Sequence, residues 1–471
     1  MGAAAYSDQG RDDPGQLCRQ SQGDKGAARP RPRQEHYTDP GHPDAARQGQ
    51  RRPARAAVGQ AGRPRGADAL SLDSSRPCEQ RSGEAIQRLK LGSGLRPSLA
   101  MTSPTHSHCE ENMSSTNSLH IAVLPGDGIG PEVMAPALEV LRKVEAKAGL
   151  AFRFTEAQAG AGNYLATGVS IAESTIRLCE QADAILLGAC GLPSVRYPDN
   201  TEIAPQIELR FHFDLYAGVR PARLIPGVPS PIVGAAERGI DFVVIRESTE
   251  GLFASMGKGV VTHEEARETL VITRKTSERL FNFSFKLAER RRARGRSGIL
   301  GCVDKANVFK AFAYFRKIFD EVAELHPNVK AERLYIDACA LMLVKRPWDF
   351  DVLVTENMFG DILSDLAAGL IGGMGMAPSA DIGDRHAVFQ PCHGTAPDIM
   401  GQGKANPTAM ILSAAMMLDW LADTRGIEGA AEAAQRIEQA VDKVYASGLK
   451  PFEFGGSAGT LEVTKAVLEA L

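Results

Sequence analysis

From residue 118 onward the chain alternates between short apolar runs and longer stretches with helical spacing. Leu119–Leu124 and Ala184–Gly188 are nearly continuous apolar runs, as expected of strands buried on both faces. Ala151–Gln158, Phe242–Ile245, Ile299–Val303, Arg333–Asp337 and Val352–Val354 also read as strands. Helical spacing follows Pro131 through about Ala148 and recurs over Ile171–Gln181, Ala204–Phe213, Ser277–Arg292 and Ala409–Ala422. Pro131 suits the first helical position and Glu132 the positive end of the helix. The arginine run of Ser277–Arg292 reads as a solvated face. Strands alternating with helices imply an α/β protein with helices covering a sheet. The turn Pro125-Gly-Asp-Gly-Ile-Gly130 lacks G-x-G-x-x-G spacing, and no such fingerprint occurs elsewhere, which argues against a Rossmann fold.

One helical stretch, Asn357–Leu366, carries Asp361 and Asp365 on one face. Its apolar company (Met358, Phe359, Ile362, Leu363, Leu366) predicts a mostly buried helix. Desolvated carboxylates need a partner, and a divalent cation with hard oxygen ligands is a natural one. Two solvated acids on a surface helix are the competing reading.

Composition separates the first 117 residues from the rest. Residues 1–100 hold no Phe, Trp or Asn and are dominated by Arg, Gly, Ala, Pro, Gln, Asp and Ser, too little apolar surface to offset ordering. We expect a disordered extension over 1–117. It has no apolar signal core, and its scattered acids oppose a transit peptide. Over the whole chain a net charge of −3 gives no case for nucleic acid or an anionic membrane, and no apolar run approaches the length of a membrane span. Eight cysteines without C-x-x-C or zinc spacing suggest reduced thiols in a cytoplasmic protein.

Other residues bear chemistry only in combination. Arg210, Arg220 and Arg246 would suit a polycarboxylic acid if they converged on one cleft, although singly each reads as a surface or ion-pairing residue. Lys305, just past an apolar strand, is a candidate general base, and Asp337, read as closing its strand, a third metal ligand. The loop His393–Pro407 is polar and turn-rich. Within it, Asp398 could accept bonds from ribose hydroxyls and repel a 2′-phosphate.

Together these residues resemble the β-decarboxylating dehydrogenases, the family of isocitrate, 3-isopropylmalate, homoisocitrate and tartrate/D-malate dehydrogenases. The resemblance rests on Leu124–Glu132 (LPGDGIGPE), Leu215–Pro221 (LYAGVRP), Asp304–Asn307 (DKAN), Asn357–Asp365 (NMFGDILSD) and His393–Ile399 (HGTAPDI), in the family's order. It implies a bilobal isopropylmalate dehydrogenase-like α/β fold. Residues 118–215 and 372–471 would form a large NAD-binding domain, and 216–371 a smaller dimerisation and catalytic domain. A homodimer would share its active sites: Lys305 and Asp337 would come from the partner chain, and an arm near 254–275 would clasp it. Mg²⁺ or Mn²⁺ would be held by Asp337, Asp361 and Asp365, with Lys305 and Asp337 as catalytic residues. Arg210, Arg220, Arg246 and Gln206 would bind substrate. His393, Gly394, Ala396, Asp398, Ile399 and Asn406 would bind NAD, the Asp398-Ile399 pair resembling NAD-using members. The implied reaction is oxidative decarboxylation of a (2R)-hydroxy acid with a 3-carboxylate. A 3-isopropylmalate-like substrate leads, ahead of isocitrate, homoisocitrate and tartrate/D-malate.

Two departures qualify the resemblance. Phe253 stands where the family has the tyrosine that protonates the enol carbon, and phenylalanine has no proton to give. The substrate-selecting helix carries Ile203, Ala204, Gln206 and Ile207, a set that matches neither the isopropylmalate nor the isocitrate pattern. A weakly active regulatory homologue and a polycarboxylate-binding protein are the competing functions; the intact lysine and aspartates oppose both. On composition we expect translation to start at Met101 or Met113. Mass spectrometry of the native protein would then begin at one of these residues, and a peptide from residues 1–90 would refute the expectation.

Overall fold

The computed structural model describes residues 118–471; the disorder expected for 1–117 lies outside the described residues. Twelve strands are β1 (Leu119–Leu124), β2 (Phe152–Glu156), β3 (Ala184–Leu187), β4 (Ala217–Arg223), β5 (Asp241–Glu247), β6 (Val260–Val261), β7 (Ala266–Arg267), β8 (Leu300–Asp304), β9 (Ala331–Tyr335), β10 (Val352–Thr355), β11 (Pro378–Ile382) and β12 (Ala387–Pro391). Ten of them form one sheet in the order β2-β1-β3-β12-β11-β4-β5-β10-β8-β9. The first five come from residues 119–187 and 378–391, the last five from 217–355. Within β2-β1-β3-β12 and within β5-β10-β8-β9 all pairings are parallel. Between these blocks, β11 runs antiparallel to both neighbours and β4 antiparallel to β5. The result is a bilobal α/β fold with a mixed sheet, unlike the all-parallel order of a doubly wound nucleotide-binding sheet.

Side-chain alternation gives the two sheet faces different tasks. On one face a single apolar cluster runs across both lobes, from Ile121, Val123 and Leu186 through Phe389, Ala380, Val219 and Ile245 to Cys302 and Val354. On the other face the apolar packing is split. Ala122, Leu124, Ile185, Leu187 and Val388 form one cluster, and Phe242, Val244, Val303 and Leu353 another. Between them the central strands present Arg220, Ser379, Asp381 and Gln390, all buried polar groups.

The first helix, Gly130–Ala148, shows how the local pattern works. It starts at Pro131, buries Val133, Met134, Ala137, Val140, Leu141 and Val144 along one stripe, and stops at Gly149, whose φ is 66°. Strands β4, β11 and β12 were not legible in the sequence. β4 contains Pro221, which a central strand ordinarily excludes. The ladder to β11 ends at the Ala380–Val219 pair, so Pro221 lies beyond the last residue β11 pairs and leaves no partner wanting.

Three expectations need correction. Asp337 does not close a strand: β9 ends at Tyr335, and Asp337 lies in the first turn of the helix Ile336–Lys345, where a carboxylate is favoured. The helix Asn357–Leu370 is not mostly buried, since Ile362 is 61% and Met358 39% exposed. A nearly all-apolar pattern cannot distinguish a core helix from one that keeps an apolar face outside. The arginine run is not simply solvated either. Arg290 pairs with Asp423, Arg294 with Asp419, and Arg291 reaches Asp241 at 2.9 Å and the buried Asp351. Among the described residues no helix is long and apolar enough to cross a membrane, and Cys179, Cys190, Cys302, Cys339 and Cys392 are unbridged.

Candidate active site

The split face of the sheet encloses a cavity of about 250 Å³. The short helix Pro205–His212 supplies Gln206 and Arg210, one turn apart on the same side; β4 supplies Arg220, and the end of β5 supplies Arg246. All three arginines are at least nine-tenths buried and all line the cavity, so the convergence that the sequence left open is present.

Guanidinium groups so close together are held in two ways. Asp381 on β11, 1% exposed, accepts from Arg210 Nε at 3.0 Å and from Arg220 Nη2 at 2.8 Å. Gln390 Nε2 donates to the same carboxylate at 3.0 Å. Burial works against the ionised form of Asp381, yet Arg210 and Arg220 outweigh it and hold the carboxyl at about 2. Arg246 is held by a neutral group instead: Asn357 Oδ1 accepts from its Nε at 3.0 Å and from its Nη2 at 2.8 Å. Burial, then the like charge of Arg210, lowers the Arg246 pKa to about 10. Two glycines make these approaches possible. A Cβ on Gly360 would lie 2.6 Å from Arg246 Cβ, and one on Gly218 would lie 2.7 Å from Ser248 Oγ and 3.1 Å from Asp381 Oδ1.

Asp361 and Asp365 form the opposite wall. Arg246 Nη1 bonds Asp361, whose side chain is 56% exposed. Burial, and next the charge of Asp361, raises the carboxyl pKa of Asp365 above its ordinary value. Two neighbouring carboxylates beside a cluster of arginines are suited to a divalent cation, which relieves the repulsion between them. One chain does not complete such a site: among the described residues no three acid, histidine or cysteine side chains gather as a metal cluster. Asp337 and Lys305 lie outside the cavity, paired with each other at 2.6 Å, and the lysine's hydrogen bond lowers the pKa of Asp337.

The cofactor candidates lie on the loop between β12 and the helix Thr408–Arg425. His393 and Gly394 border the arginine cavity. Burial depresses the pKa of His393, and its Nε2 is buried without a hydrogen-bond partner while Nδ1 lies 2.9 Å from the Gly394 carbonyl. This is a neutral imidazole with one nitrogen available to a ligand. Asp398 is exposed, Ile399 packs on the core, and Ala396 adopts a positive φ of 37°. Asn406 is committed within the protein: Nδ2 donates to Glu453 at 3.0 Å, and Oδ1 accepts from Thr408 N and Tyr445 Oη, each at 3.2 Å. The loop is clamped to the glycine-rich turn by Ile129 N donating to Thr395 O at 2.9 Å, and by Glu132, which accepts from Ala405 N at 3.1 Å.

Sequence reading missed Asp381, Gln390 and Asn357, the groups that hold the arginines. Asp381 and Gln390 fall in short mixed stretches with no periodic signal. Asp127 was within a recognised turn but had no assigned task. Its buried carboxylate accepts from Ala161 N, Gly162 N and Gly191 N at 2.7 to 2.8 Å, tying the start of the helix Ala161–Thr167 and the segment at Gly191 to the glycine-rich turn. Cys190 and Cys392 line the cavity, but burial raises both thiol pKa values, so they remain protonated. Phe253 lies with its ring centroid 5.7 Å from Arg246 Cζ.

Glu247, next to Arg246 and 4% exposed, has its carboxyl pushed up to about 7 by burial, against the opposing bonds from Thr249 and Glu250. A carboxyl raised in the folded state favours folding most below its ordinary value of 4.5, and that contribution is lost as pH rises through about 7. Denaturant unfolding should therefore show wild-type stability falling by about 1–3 kcal/mol between pH 5 and pH 8. Glu247→Gln should remove most of that fall; an unchanged slope in the variant would contradict the assignment.

Comparison with known proteins places this geometry. The family model described as isocitrate/isopropylmalate dehydrogenase matches residues 120–469. The chain is similar to the 3-isopropylmalate/3-methylmalate dehydrogenase of Methanocaldococcus jannaschii, 43% identical over 352 residues, covering 74% of this chain and 97% of that protein. It is equally similar to the isocitrate/homoisocitrate dehydrogenase of Thermus thermophilus, 43% identical over 352 residues, covering 74% and 98%. Among solved structures, isocitrate dehydrogenase from Methylococcus capsulatus superimposes with a TM-score of 0.65 at 34% identity, covering 75% of this chain and 99% of that one.

Proposed function

The chain belongs to the isocitrate/isopropylmalate dehydrogenase family and shares its β-decarboxylating dehydrogenase chemistry on a hydroxy acid, and on that premise we propose that it oxidises a (2R)-hydroxy acid bearing a 3-carboxylate with NAD and a divalent metal, as a homodimer with shared sites. The observation that carries the reading is the convergence of Arg210, Arg220 and Arg246 on one cavity facing Asp361 and Asp365.

Each residue has a task in this scheme. Arg210, Arg220 and Arg246 hold the carboxylate that leaves, in an orientation fixed before binding by Asp381 and Asn357. Asp361 and Asp365, with Asp337 of a second chain, would hold Mg²⁺ or Mn²⁺. A metal bound there would supply Lewis-acid polarisation of the oxygen on C2. His393, Gly394, Ala396, Asp398, Ile399 and Asn406 would hold NAD, which would supply the hydride acceptor. Lys305 of the second chain takes the hydroxyl proton. After CO₂ leaves, the enol carbon needs a proton that Phe253 cannot provide, so water or another side chain must donate it.

Apolar exposure supports the dimer. Val308 and Phe309 near Lys305, Leu341 and Val344 on the helix that carries Asp337, and Met358 and Ile362 on the metal-site helix are all exposed. Such a surface is costly in water and suits a second copy, which would cover it and bring Lys305 and Asp337 to the neighbouring cavity. The exposed hairpin of β6 and β7 is the candidate clasping arm.

For the substrate, the printed names of relatives include both 3-isopropylmalate and isocitrate/homoisocitrate. The cavity itself is lined without any Leu, Ile, Val or Phe; Ile203 and Ile207 lie away from it. The side chains of this chain at the cavity are mostly polar or small, which favours a substrate with a polar C3 substituent over an isopropylmalate-like one.

Incubating the purified protein with NAD⁺, Mn²⁺ and isopropylmalate, isocitrate, homoisocitrate, tartrate or D-malate should yield NADH with at least one acid having a polar C3 substituent. No turnover with any would overturn the proposal. Phe253→Tyr should accelerate CO₂ release several-fold with little change in KM; an unchanged rate would mean the missing acid is irrelevant.

A further inference from the structure

Lys305 and Asp337 stand at the ends of two adjacent parallel strands. β8 ends at Asp304 and β9 at Tyr335, and the register pairs these two residues with each other. Lys305 is the next residue after Asp304. Asp337 is the second after Tyr335, which holds the N-cap position of the helix Ile336–Lys345. The Lys305–Asp337 pair at 2.6 Å is therefore built on two strand ends, and a slip of one end against the other would break it.

One side chain spans both ends. Asp304 is fully buried, and its Oδ1 accepts from Ala306 N at 2.7 Å, a local turn that directs the chain at Lys305. Arg316, on the helix Lys310–Ala323, grips the same carboxylate with its fork. Its Nε donates to Oδ2 at 2.7 Å and its Nη2 to Oδ1 at 2.6 Å. The same guanidinium lies over the ring of Tyr335, with Cζ 4.9 Å from the centroid. One planar group thus holds the turn that presents Lys305 and rests on the residue that begins the Asp337 helix. Arg316 does not line the substrate cavity. An ion pair alone would suffice to anchor its helix to β8; the fork and the stacked ring together fix one strand end relative to the other.

We propose that Arg316 is a positioning residue for the base and the acid that one chain lends to its neighbour's site, acting through Asp304 and Tyr335. The inference rests on the shared-site reading given under the proposed function.

Arg316→Lys leaves Asp304 a counter-charge but cannot bond both oxygens in one plane while covering the ring. It should lower kcat by about ten- to a hundredfold with the acid that the wild type oxidises. Heterodimers purified through two different tags locate the defect. Arg316→Lys paired with Asp361→Asn should regain about half the wild-type rate, because one site then takes its arginines and paired aspartates from the first chain and its Lys305 and Asp337 from the second. Arg316→Lys paired with Lys305→Met should stay low. Two heterodimers that behave alike, or the reverse pattern, would overturn the inference, as would an unchanged kcat in the Arg316→Lys homodimer. Lys305→Met paired with Asp361→Asn should recover as the first pair does; its failure would count against the shared site and leave Arg316 to be judged by a readout without turnover. That readout is acylation of Lys305 by an amine-directed reagent, mapped by mass spectrometry. Loss of register frees the amine, so Arg316→Lys should label several-fold faster than the wild type and approach Asp337→Asn. An unchanged labelling rate in folded Arg316→Lys would refute the role. If that variant does not fold, Tyr335→Leu, which keeps the Asp304–Arg316 pair, should shift labelling and heterodimer rates in the same directions by smaller amounts, and no shift would refute it.

Discussion

A single buried carboxylate under two arginines is the interaction on which the site depends. Asp381 lies on β11, Arg220 on β4 and Arg210 on the helix Pro205–His212, so one ion cluster joins three elements far apart in sequence. Taking three such groups out of water is costly, and removing one partner of a buried pair commonly costs about 3–5 kcal/mol. Asp381 is matched on both carboxylate oxygens, and Ala380 O accepts from Arg220 Nη1 at 2.6 Å. The guanidinium groups are thus oriented before any substrate arrives, which is how a binding site avoids the entropy of ordering long side chains.

The sheet makes room for this cluster by an asymmetry between its faces. One face is closed by a continuous apolar layer over both lobes, while the other has two separate apolar clusters and a polar gap. The gap coincides with the strands where direction reverses, β12, β11, β4 and β5. A sheet of parallel blocks facing opposite ways brings residues distant in sequence, such as Arg210 and Asp381, to the same spot. The closed face carries the continuous core, and the split face holds the candidate site.

The candidate site residues of one chain lie in two places. The arginines and the paired aspartates share a cavity, while Lys305 and Asp337 sit with each other on an exposed, apolar-rich surface. Their mutual pairing at 2.6 Å keeps a charged lysine from lying beside apolar side chains without a counter-ion. The same surface that would be a liability for a lone protomer becomes, in the proposed dimer, the means of delivering a base and a third acid to a neighbour.

Much of this protein could be read from local pattern. Buried strands such as β1 and β3 and amphipathic helices such as Gly130–Ala148 declare themselves through apolar periodicity, and the motifs around Asp361, Asp365 and Lys305 named candidate residues in advance. The strands at the centre of the sheet did not. β4 carries a proline, and β11 and β12 carry the polar residues of the site, so their sequences resemble loops. For the same reason Asp381, Gln390 and Asn357 went unnoticed: a group that holds another side chain has a signature only once the two are adjacent in space. The sequence by itself determined the fold class, the helices, the outer strands and the inventory of acids and arginines. The tertiary structure decided which of those charges face one another, because burial and pairing depend on strand order and register rather than on any local pattern.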